Sequence, residues 1–356
     1  MKTVTLGKTG ITVPQNGFGA LPIQRVGMET AVQLLRRAYD GGMRFFDTAR
    51  AYSDSEEKLG NAFSGYIPRE NIYITTKTMA KTPEQFWKDL GTSLQMLKTD
   101  YIDVFQFHCA GTCYRLGDGS GMYEAMLEAK AQGRIRHIGI TCHLIAVAEE
   151  VVKSGLYETL QYPFSYLSTE RELKLVDDCR AAGMGFIAMK GLAGGLLNKS
   201  KPCMAFMLQF DNVIPIWGVQ RAHELEEWLA FFNEAPVMDE ENAAIIAADK
   251  KELQGDFCRG CGYCMPCPAG IMINQCARIS QMVRRAPSAN WLSEKMQAEM
   301  KKIENCRHCG ACVKKCPYGL DTPALLQKNY EDYRRILAGE VSVAVLLQID
   351  TAGAVC

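Results

Sequence analysis

Residues 1–232 alternate between short, nearly continuous apolar runs and longer stretches with the periodicity of amphipathic helices. Eight apolar runs have the length of buried strands, at 16–21, 44–49, 71–77, 101–108, 135–142, 159–164, 185–191 and 213–219. Helical patterns separate them, among others at 28–42, 82–98, 122–133 and 169–183. Continuous apolar runs are typical of parallel strands that are covered on both faces. Eight such β/α units predict an α/β fold, a (β/α)8 TIM barrel, over residues 1–232.

The flanking segments have different patterns. The opening TVTLGKTGITV has a glycine-containing turn between two short runs, which predicts a small hairpin before the barrel. Residues 233–257 are acidic, rich in alanine and helical in pattern, and we interpret them as a connector. Residues 258–340 form a second domain built on cysteine motifs. The apolar segment 341–356 is a C-terminal tail, either a strand or a packed end.

Composition excludes several classes of protein. In 356 residues, 40 Lys and Arg balance 40 Asp and Glu, and 47% of residues are hydrophobic, which argues against a disordered chain or a nucleic-acid-binding polycation. No apolar run approaches the roughly 20 residues of a membrane span. The first residues are interrupted by Gly and Lys, unlike a signal peptide. We therefore expect a cytoplasmic protein with no nucleic-acid or membrane partner.

Four polar residues fall where a barrel places its chemistry. Asp47, Lys77 and His108 lie at the ends of the second, third and fourth predicted strands, and Tyr52 follows Asp47 in the next loop. The C-terminal ends of barrel strands form the active-site mouth, so the four side chains are expected to converge there.

These residue types suit carbonyl chemistry. A tyrosine with an ordinary pKa of about 10 is a poor acid at neutral pH. A neighbouring Lys77 ammonium favours the phenolate, and Asp47 holds that lysine in place. His108 can donate a hydrogen bond to a substrate carbonyl. Together they suit protonation of a ketone or aldehyde oxygen while hydride arrives at carbon, which predicts a small carbonyl or alcohol substrate.

The segment DTARAYSDSEEKLG, with the later ITTK and FQFH, resembles the aldo-keto reductase family over about residues 1–230. The resemblance implies a tetrad of Asp47, Tyr52, Lys77 and His108, with Tyr52 as general acid/base and NAD(P)H extended across the barrel mouth. It also implies nucleotide contacts from the later strands, at Thr141, Cys142, Gln161, Met189, Lys190, Gly218, Gln220, Arg221, Glu224 and Glu227.

Several positions depart from the family pattern. Thr141 and Cys142 replace a Ser-Asn pair, Met189 stands where a tyrosine often stacks on nicotinamide, and Trp228 replaces a common Asn. Arg221 suits a 2′-phosphate, so NADP is weakly preferred over NAD. A surface arginine beside an acidic helix is the alternative interpretation.

The second domain contains two cysteine motifs. CRGCGYCMPCP supplies Cys258, Cys261, Cys264 and Cys267, and CRHCGACVKKCP supplies Cys306, Cys309, Cys312 and Cys316. Three thiolates at two-residue spacing bind one cubane, and the cysteine before proline reaches the other. We therefore assign two [4Fe–4S] clusters. One takes Cys258, Cys261, Cys264 and Cys316, and the other takes Cys306, Cys309, Cys312 and Cys267.

The cysteine region resembles two-cluster bacterial-type ferredoxin domains over about residues 256–322, and the helical pattern between the motifs suggests a mainly α-helical variant. The two-residue spacing before Cys267 departs from the usual three. Zinc ribbons are the competing interpretation of paired cysteines.

The combination leaves three hypotheses. Carbonyl reduction moves two electrons as hydride, whereas each cluster moves one, so coupling needs a flavin-like converter or single-electron substrate chemistry. No G-x-G-x-x-G or other flavin signature is present, although a barrel can hold FMN without one. The first hypothesis is an NAD(P)-linked oxidoreductase whose clusters exchange electrons with an external carrier such as ferredoxin or flavodoxin. The second is a carbonyl reductase with structural clusters, and the third a non-catalytic electron-transfer or nucleotide-binding subunit.

Overall fold

The computed structural model describes residues 1–253, 257–285, 288–316 and 318–343. Most of the predicted C-terminal tail, residues 344–356, lies outside these described residues. The chain divides into two compact units. The first comprises Met1–Gly191 and Ser200–Ala244, and the second comprises Leu192–Lys199 and Ile245–Cys356.

The first unit is a closed barrel of eight parallel strands, which confirms the predicted fold class. Each strand falls within, or within one residue of, a predicted apolar run. The strands are β3 (Gly17–Gly19), β4 (Phe45–Asp47), β5 (Tyr73–Thr78), β6 (Ile102–Phe107), β7 (Ile135–Thr141), β8 (Thr159–Pro163), β9 (Gly185–Met189) and β10 (Val213–Gly218). They pair in chain order, and β10 closes the ring by pairing with β3, where Trp217 lies opposite Phe18.

The N-terminal hairpin packs on the apolar interior of the barrel. It consists of β1 (Thr3–Thr5) and β2 (Thr12–Pro14), which are antiparallel with Val4 opposite Val13. Both valines are buried in one apolar cluster with Phe45, the first residue of β4. The hairpin therefore covers the end of the barrel at which the strands begin. Polar functional residues are accordingly expected at the opposite end.

Helices connect the barrel strands. They are α1 (Met28–Asp40), α2 (Ser55–Phe63), α3 (Pro83–Leu97), α4 (Met122–Ala131), α5 (Ile145–Ser154), α6 (Glu170–Ala182), α7 (Ser200–Met207) and α8 (Ala222–Asn233), with short 310 helices at Pro22–Arg25 and Arg69–Asn71. The sequence specifies their ends locally. In α6, Thr169 and Glu172 form a capping box, and Gly183 ends the helix with a φ of 66°.

The second unit is mainly helical. The connector helix α9 (Glu240–Glu252) contains the boundary between the units and is followed by α10 (Ile273–Cys276), α11 (Ile279–Arg285), α12 (Ser288–Trp291), α13 (Glu294–Lys301), a 310 helix (Lys302–Asn305), α14 (Ala311–Lys315) and α15 (Thr322–Leu337). The buried face of α15 contributes Leu326 and Tyr333 to a core that also contains Ile271 and Ile279. In the part of the chain that the structure describes, no helix is both long and apolar enough to cross a bilayer.

One segment differs from the predicted domain division. Leu192–Lys199 follows β9 in the chain but belongs to the second unit. Arg285 donates to the Leu196 carbonyl at 2.9 Å, and Asn198 Nδ2 donates to the Arg285 carbonyl at 3.3 Å. These hydrogen bonds join positions almost ninety residues apart in the chain, so a local pattern does not reveal them.

Candidate active site

The barrel brings the four predicted catalytic residues to one end. Asp47 ends β4, Lys77 is the penultimate residue of β5, and His108 directly follows β6. Tyr52 lies in the loop between β4 and α2. All four occupy the C-terminal side of the strands, opposite the N-terminal hairpin.

Lys77 and Asp47 form a buried ion pair. The Lys77 Nζ atom is 2.7 Å from both Asp47 carboxylate oxygens and donates to the Thr48 carbonyl at 2.6 Å. The side chains of Lys77 and Asp47 are only 1% and 4% exposed. Burial lowers the pKa of Lys77 and raises that of Asp47, and their mutual attraction opposes both shifts. The pair holds the Lys77 ammonium in one position beneath the mouth.

Tyr52 lies between that pair and His108. The Lys77 Nζ atom is 5.2 Å from the centroid of the Tyr52 ring, and the His108 ring meets Tyr52 edge-on with centroids 5.7 Å apart. The three ammonium protons of Lys77 have acceptors on Asp47 and Thr48, so the ammonium faces the ring without a hydrogen bond to the phenol.

Burial raises the pKa of Tyr52, and the negative charge of the Asp47 carboxylate adds to this shift. The expectation that Lys77 gives Tyr52 a lowered pKa is therefore wrong for this structure, because burial outweighs the effect of the ammonium. Tyr52 holds its proton, which is the state that a general acid needs before reaction.

His108 is neutral and has an available ring nitrogen. Burial, together with the Lys77 charge, lowers the pKa of His108 to about 3. Its buried Nδ1 atom has no hydrogen-bond partner among the described residues. Buried polar atoms in proteins are almost always paired, so an unpaired one beside a reactive phenol suits a ligand polar group.

Gln161 extends the site toward β8. Its Nε2 atom is 3.5 Å from Asp47 Oδ2, and its Oε1 atom accepts a hydrogen bond of 2.8 Å from Gln106. Gln106 also donates to Thr75 Oγ1 at 2.6 Å. This polar layer crosses the barrel interior and places a carboxamide beside the ion pair.

Two other predicted nucleotide contacts serve the scaffold below the mouth. Thr141 Oγ1 accepts a 2.8 Å hydrogen bond from the Cys109 amide, and the Thr141 carbonyl accepts one of 2.7 Å from Ala110. Cys142 is fully buried, and burial raises the pKa of its thiol. Thr141 therefore holds the turn after His108 in place.

The remaining predicted contacts lie at the ends of β9 and β10 and along α8. Met189 ends β9, and Lys190 follows it with a φ of 59°. Gly218 ends β10 and is exposed, and a methyl group in place of its hydrogen would lie 3.0 Å from Pro22 Cγ. Gln220, which follows, is half-buried. Gly218 has no side chain, so its exposed backbone leaves room at this rim for an extended nucleotide.

Side chains at the start of α8 are paired with one another. Glu224 Oε2 accepts from the backbone amides of Gln220 at 2.9 Å and Arg221 at 3.1 Å, and Glu224 Oε1 is 3.7 Å from the Arg221 guanidinium. Glu227 accepts a hydrogen bond from Ser200. Glu224 therefore caps the helix and also balances the charge of Arg221.

Eight cysteines of the second unit line two cavities. The larger, about 430 Å³, is lined by Cys267, Cys306, Cys309 and Cys312, and the smaller, about 350 Å³, by Cys258, Cys261 and Cys316. Cys264 borders both cavities. Each motif thus contributes its cysteine before proline to the cavity of the other motif.

The two cavities suit a cluster of several metal ions better than a single metal ion. Within the described ranges, no three His, Cys, Asp or Glu side chains converge on a point where one metal ion would sit. A zinc ribbon requires four ligands at about 2.0–2.3 Å from a single ion. At least four thiols line each cavity, which matches the one thiolate per iron that a [4Fe–4S] cluster takes.

The two motifs share one backbone conformation. The residue directly before the second cysteine has a left-handed backbone conformation in both motifs. It is Gly260 in the first, with a φ of 67°, and His308 in the second, with a φ of 47°. Gly262 and Gly310, which follow the second cysteine, are left-handed as well. In the first motif the Gly260 amide points toward Cys258 Sγ at 3.4 Å, and such N–H groups stabilise cluster sulfurs.

Comparison with known proteins agrees with both parts of the structure. The model of the Aldo/keto reductase family matches residues 15–205, and that of a 4Fe-4S dicluster domain matches residues 257–321. The chain belongs to the aldo/keto reductase family. This aldo/keto reductase also carries a 4Fe-4S dicluster domain, so the resemblances drawn from the motifs are confirmed.

Two named relatives each match a little over half of this aldo/keto reductase. It is 31% identical to the methylglyoxal reductase of Salmonella typhi over 228 residues, covering 60% of this chain and 82% of that protein. It is 30% identical to the L-galactose dehydrogenase of Arabidopsis thaliana over 216 residues, covering 55% and 67%. A solved aldo-keto reductase from Bacillus halodurans shares the fold, with a TM-score of 0.60 at 20% identity over 70% of this chain and 96% of that one.

Sequence reasoning missed the residues that anchor the Tyr52 loop. Glu56 is buried and accepts hydrogen bonds from Arg50 and from Thr76 Oγ1, the latter at 2.6 Å. Lys58 is also buried, and it donates to Asp54 at 2.9 Å and to two backbone carbonyls. Charged residues on the first turns of a short helix look solvated in sequence, so only the tertiary contacts reveal this role.

The lowered pKa of His108 predicts a pH effect on stability. In the folded state His108 is protonated only at a pH near 3, whereas in the unfolded state it is protonated below its ordinary pKa of 6.5. The unfolded state therefore holds more protons between pH 6.5 and 3. The contribution of His108 to the free energy of unfolding is complete above pH 6.5 and is lost as pH falls toward 3. In urea denaturation, His108→Gln should reduce the loss of stability between pH 6.5 and 4.5 by about 1 kcal/mol per pH unit. An unchanged pH dependence in His108→Gln would contradict a neutral, buried His108.

Proposed function

We propose that this aldo/keto reductase interconverts a carbonyl and an alcohol with NAD(P)H, using Tyr52 as general acid/base, and that its dicluster domain links that chemistry to an external one-electron carrier. The observation that carries the proposal is the position of the Tyr52 phenol between His108 and the buried Lys77–Asp47 pair. This arrangement supports proton delivery to an oxygen at the C-terminal mouth.

Residues of this chain transfer the proton and stabilise the charge that develops during the reaction. A bound nicotinamide supplies hydride to the carbonyl carbon. His108 donates a hydrogen bond that orients the carbonyl oxygen, and the Tyr52 hydroxyl gives its proton to that oxygen as negative charge builds there. Lys77, 5.2 Å from the ring centroid, stabilises the phenolate that remains. In alcohol oxidation the same phenolate takes the proton back.

The candidate nucleotide contacts follow the mouth in chain order. Gln161, adjacent to Asp47, is proposed to meet the nicotinamide amide, and Met189 is proposed to pack beside its ring. Gly218, Gln220 and the start of α8 are proposed to hold the adenosine end. Arg221 supports NADP over NAD. At 3.7 Å its guanidinium is only loosely paired with Glu224, so it can turn to a 2′-phosphate.

The substrate is proposed to be a small aldehyde, ketone or sugar-derived compound. The relatives named a methylglyoxal reductase and an L-galactose dehydrogenase support testing one 2-oxoaldehyde and one sugar first. Kinetic assays with both nucleotides and both substrates would identify the preferred pair.

The dicluster domain is proposed to hold two [4Fe–4S] clusters in its two cysteine-lined cavities. Cys258, Cys261, Cys264 and Cys316 form the first site, and Cys306, Cys309, Cys312 and Cys267 form the second. Each cluster, when bound, would carry one electron, so the two together match the two electrons of one hydride, and a bound flavin-like converter is proposed to divide that electron pair between them. A ferredoxin or flavodoxin is the proposed class of external carrier.

A structural role for the clusters is the second candidate function. Six of the eight cysteines pack in or against the hydrophobic core of the second unit, so the clusters would also stabilise that fold. The six are Cys258, Cys264, Cys267, Cys306, Cys312 and Cys316. Under this alternative, carbonyl reduction by NADPH would proceed without any change in cluster oxidation state.

Single cysteine variants test the ligand assignment. Cys261→Ala and Cys309→Ala, purified without oxygen, should each retain half of the wild-type iron and one of two cluster signals in electron paramagnetic resonance (EPR). Cys276→Ala is the matched control, because Cys276 is buried in the same core but lines neither cavity. The assignment fails if Cys261→Ala or Cys309→Ala keeps all of its iron.

A further inference from the structure

Arg278 lies against the first cysteine motif. A methyl group in place of the Gly260 hydrogen would lie only 2.9 Å from Arg278 Nη1, and one on Gly194 only 2.7 Å from the same atom. Gly260 stands between Cys258 and Cys261 in the chain. The missing side chains of the two glycines therefore make room for the guanidinium beside the first cluster site.

Within the described part of the chain, Arg278 has no carboxylate partner, unlike its neighbours Arg284 and Arg285. Arg284 pairs with Asp332 at 2.6 Å, and Arg285 pairs with two carboxylates of α9. Among the described residues no carboxylate lies within ion-pair distance of Arg278, and its buried Nε atom has no hydrogen-bond acceptor. A largely buried cation is costly unless a negative group compensates it.

We propose that Arg278 is the counter-ion of the first cluster site and that it raises the reduction potential of that site above the potential of the second. This inference rests on the ligand assignment in the proposed function. Reduction adds one negative charge to a cluster, and a fixed cation in a low-dielectric setting stabilises the reduced form. Cluster potentials depend on local charge, hydrogen bonds to sulfur and exposure to solvent.

The second site has a different electrostatic environment. Its ligand Cys309 is exposed, and His308 occupies the position that Gly260 has in the first motif. The cations beside it, Arg307, Lys314 and Lys315, are exposed, so water and salt screen their effect. An electron delivered at the exposed second site is therefore held more favourably at the first.

A redox titration of the full-length protein tests this proposal. Wild type, Arg278→Gln and Arg307→Gln are titrated with dithionite without oxygen, and the EPR signal of each reduced cluster is followed. The signal missing from Cys261→Ala identifies the first cluster. In Arg278→Gln the reduced-to-oxidised ratio of that cluster should fall at least tenfold at fixed ambient potential, a shift of 59 mV for one electron. Arg307→Gln, which removes an exposed cation from the second motif, should change either ratio less than twofold.

Arg278→Lys separates charge from shape. This variant keeps the cation and should hold the first cluster within twofold of the wild-type ratio. If Arg278→Gln loses the first cluster, retention of the cluster at the wild-type ratio in Arg278→Lys still supports the counter-ion role. Loss of the cluster from both variants, or an unchanged ratio in Arg278→Gln, overturns it. A Cys261→Ala variant that keeps both signals would instead contradict the underlying ligand assignment.

Discussion

Replacing Tyr52 by phenylalanine should lower kcat for NADPH-dependent aldehyde reduction by about 10²- to 10⁴-fold, the usual contribution of a general acid. The substitution removes only the hydroxyl and leaves the ring that packs edge-on against His108. The Kd for NADPH, measured by fluorescence quenching, should therefore stay within about twofold. A loss confined to kcat would place Tyr52 in the proton transfer and not in nucleotide binding.

Tyr66→Phe is the matched control for that substitution. Tyr66 is 41% exposed and its hydroxyl donates to Asp40 at 2.9 Å, on the barrel surface. Its removal should leave kcat unchanged. If Tyr52→Phe turns over as fast as Tyr66→Phe, the proposed acid/base role of Tyr52 is wrong.

Replacing Lys77 by methionine should destabilise the barrel by about 3–5 kcal/mol, because Asp47 would be left buried without its partner. The carboxylate has no other cation within ion-pair distance among the described residues, and its remaining side-chain contact is Gln161 at 3.5 Å. The double variant Asp47→Asn/Lys77→Met removes both charges and should recover part of the lost stability. Activity should be lost in both variants, since each removes the charge that stabilises the Tyr52 phenolate.

Lys174→Met provides the comparison for a solvated ion pair. Lys174 lies 2.6 Å from Asp178, but these side chains are 70% and 40% exposed. The cost should stay below about 0.5 kcal/mol. Urea denaturation of the three variants measures the difference, and a Lys77→Met cost as small as that of Lys174→Met would contradict a buried, uncompensated Asp47.

Much of the barrel follows from local patterns. Continuous apolar runs identify parallel strands because both faces of each strand are covered, and all eight runs contain barrel strands. Once the strands are known, the geometry of a parallel barrel places Asp47, Lys77 and His108 at one end without further information. The cysteine motifs identify the second domain in the same way, since thiolates at two-residue spacing have few other uses.

Features that depend on tertiary contacts were not predictable from sequence. Gln106 lies in an apolar strand and is distinguished only by its hydrogen bonds to Thr75 and Gln161. The direction of the Tyr52 pKa was predicted wrongly because a neighbouring lysine suggests a lowered value. In the structure, burial dominates and the Lys77 protons are directed to Asp47 and Thr48.

The proposed function links nicotinamide chemistry and one-electron cluster chemistry within one chain. An anaerobic titration of the purified protein with NADPH, followed by EPR, tests it most directly. We expect signals of reduced [4Fe–4S] clusters to grow with added NADPH alone, approaching two reduced clusters per NADPH consumed. If dithionite reduces the clusters and NADPH does not, the link is contradicted, and the clusters serve the structure of a carbonyl reductase.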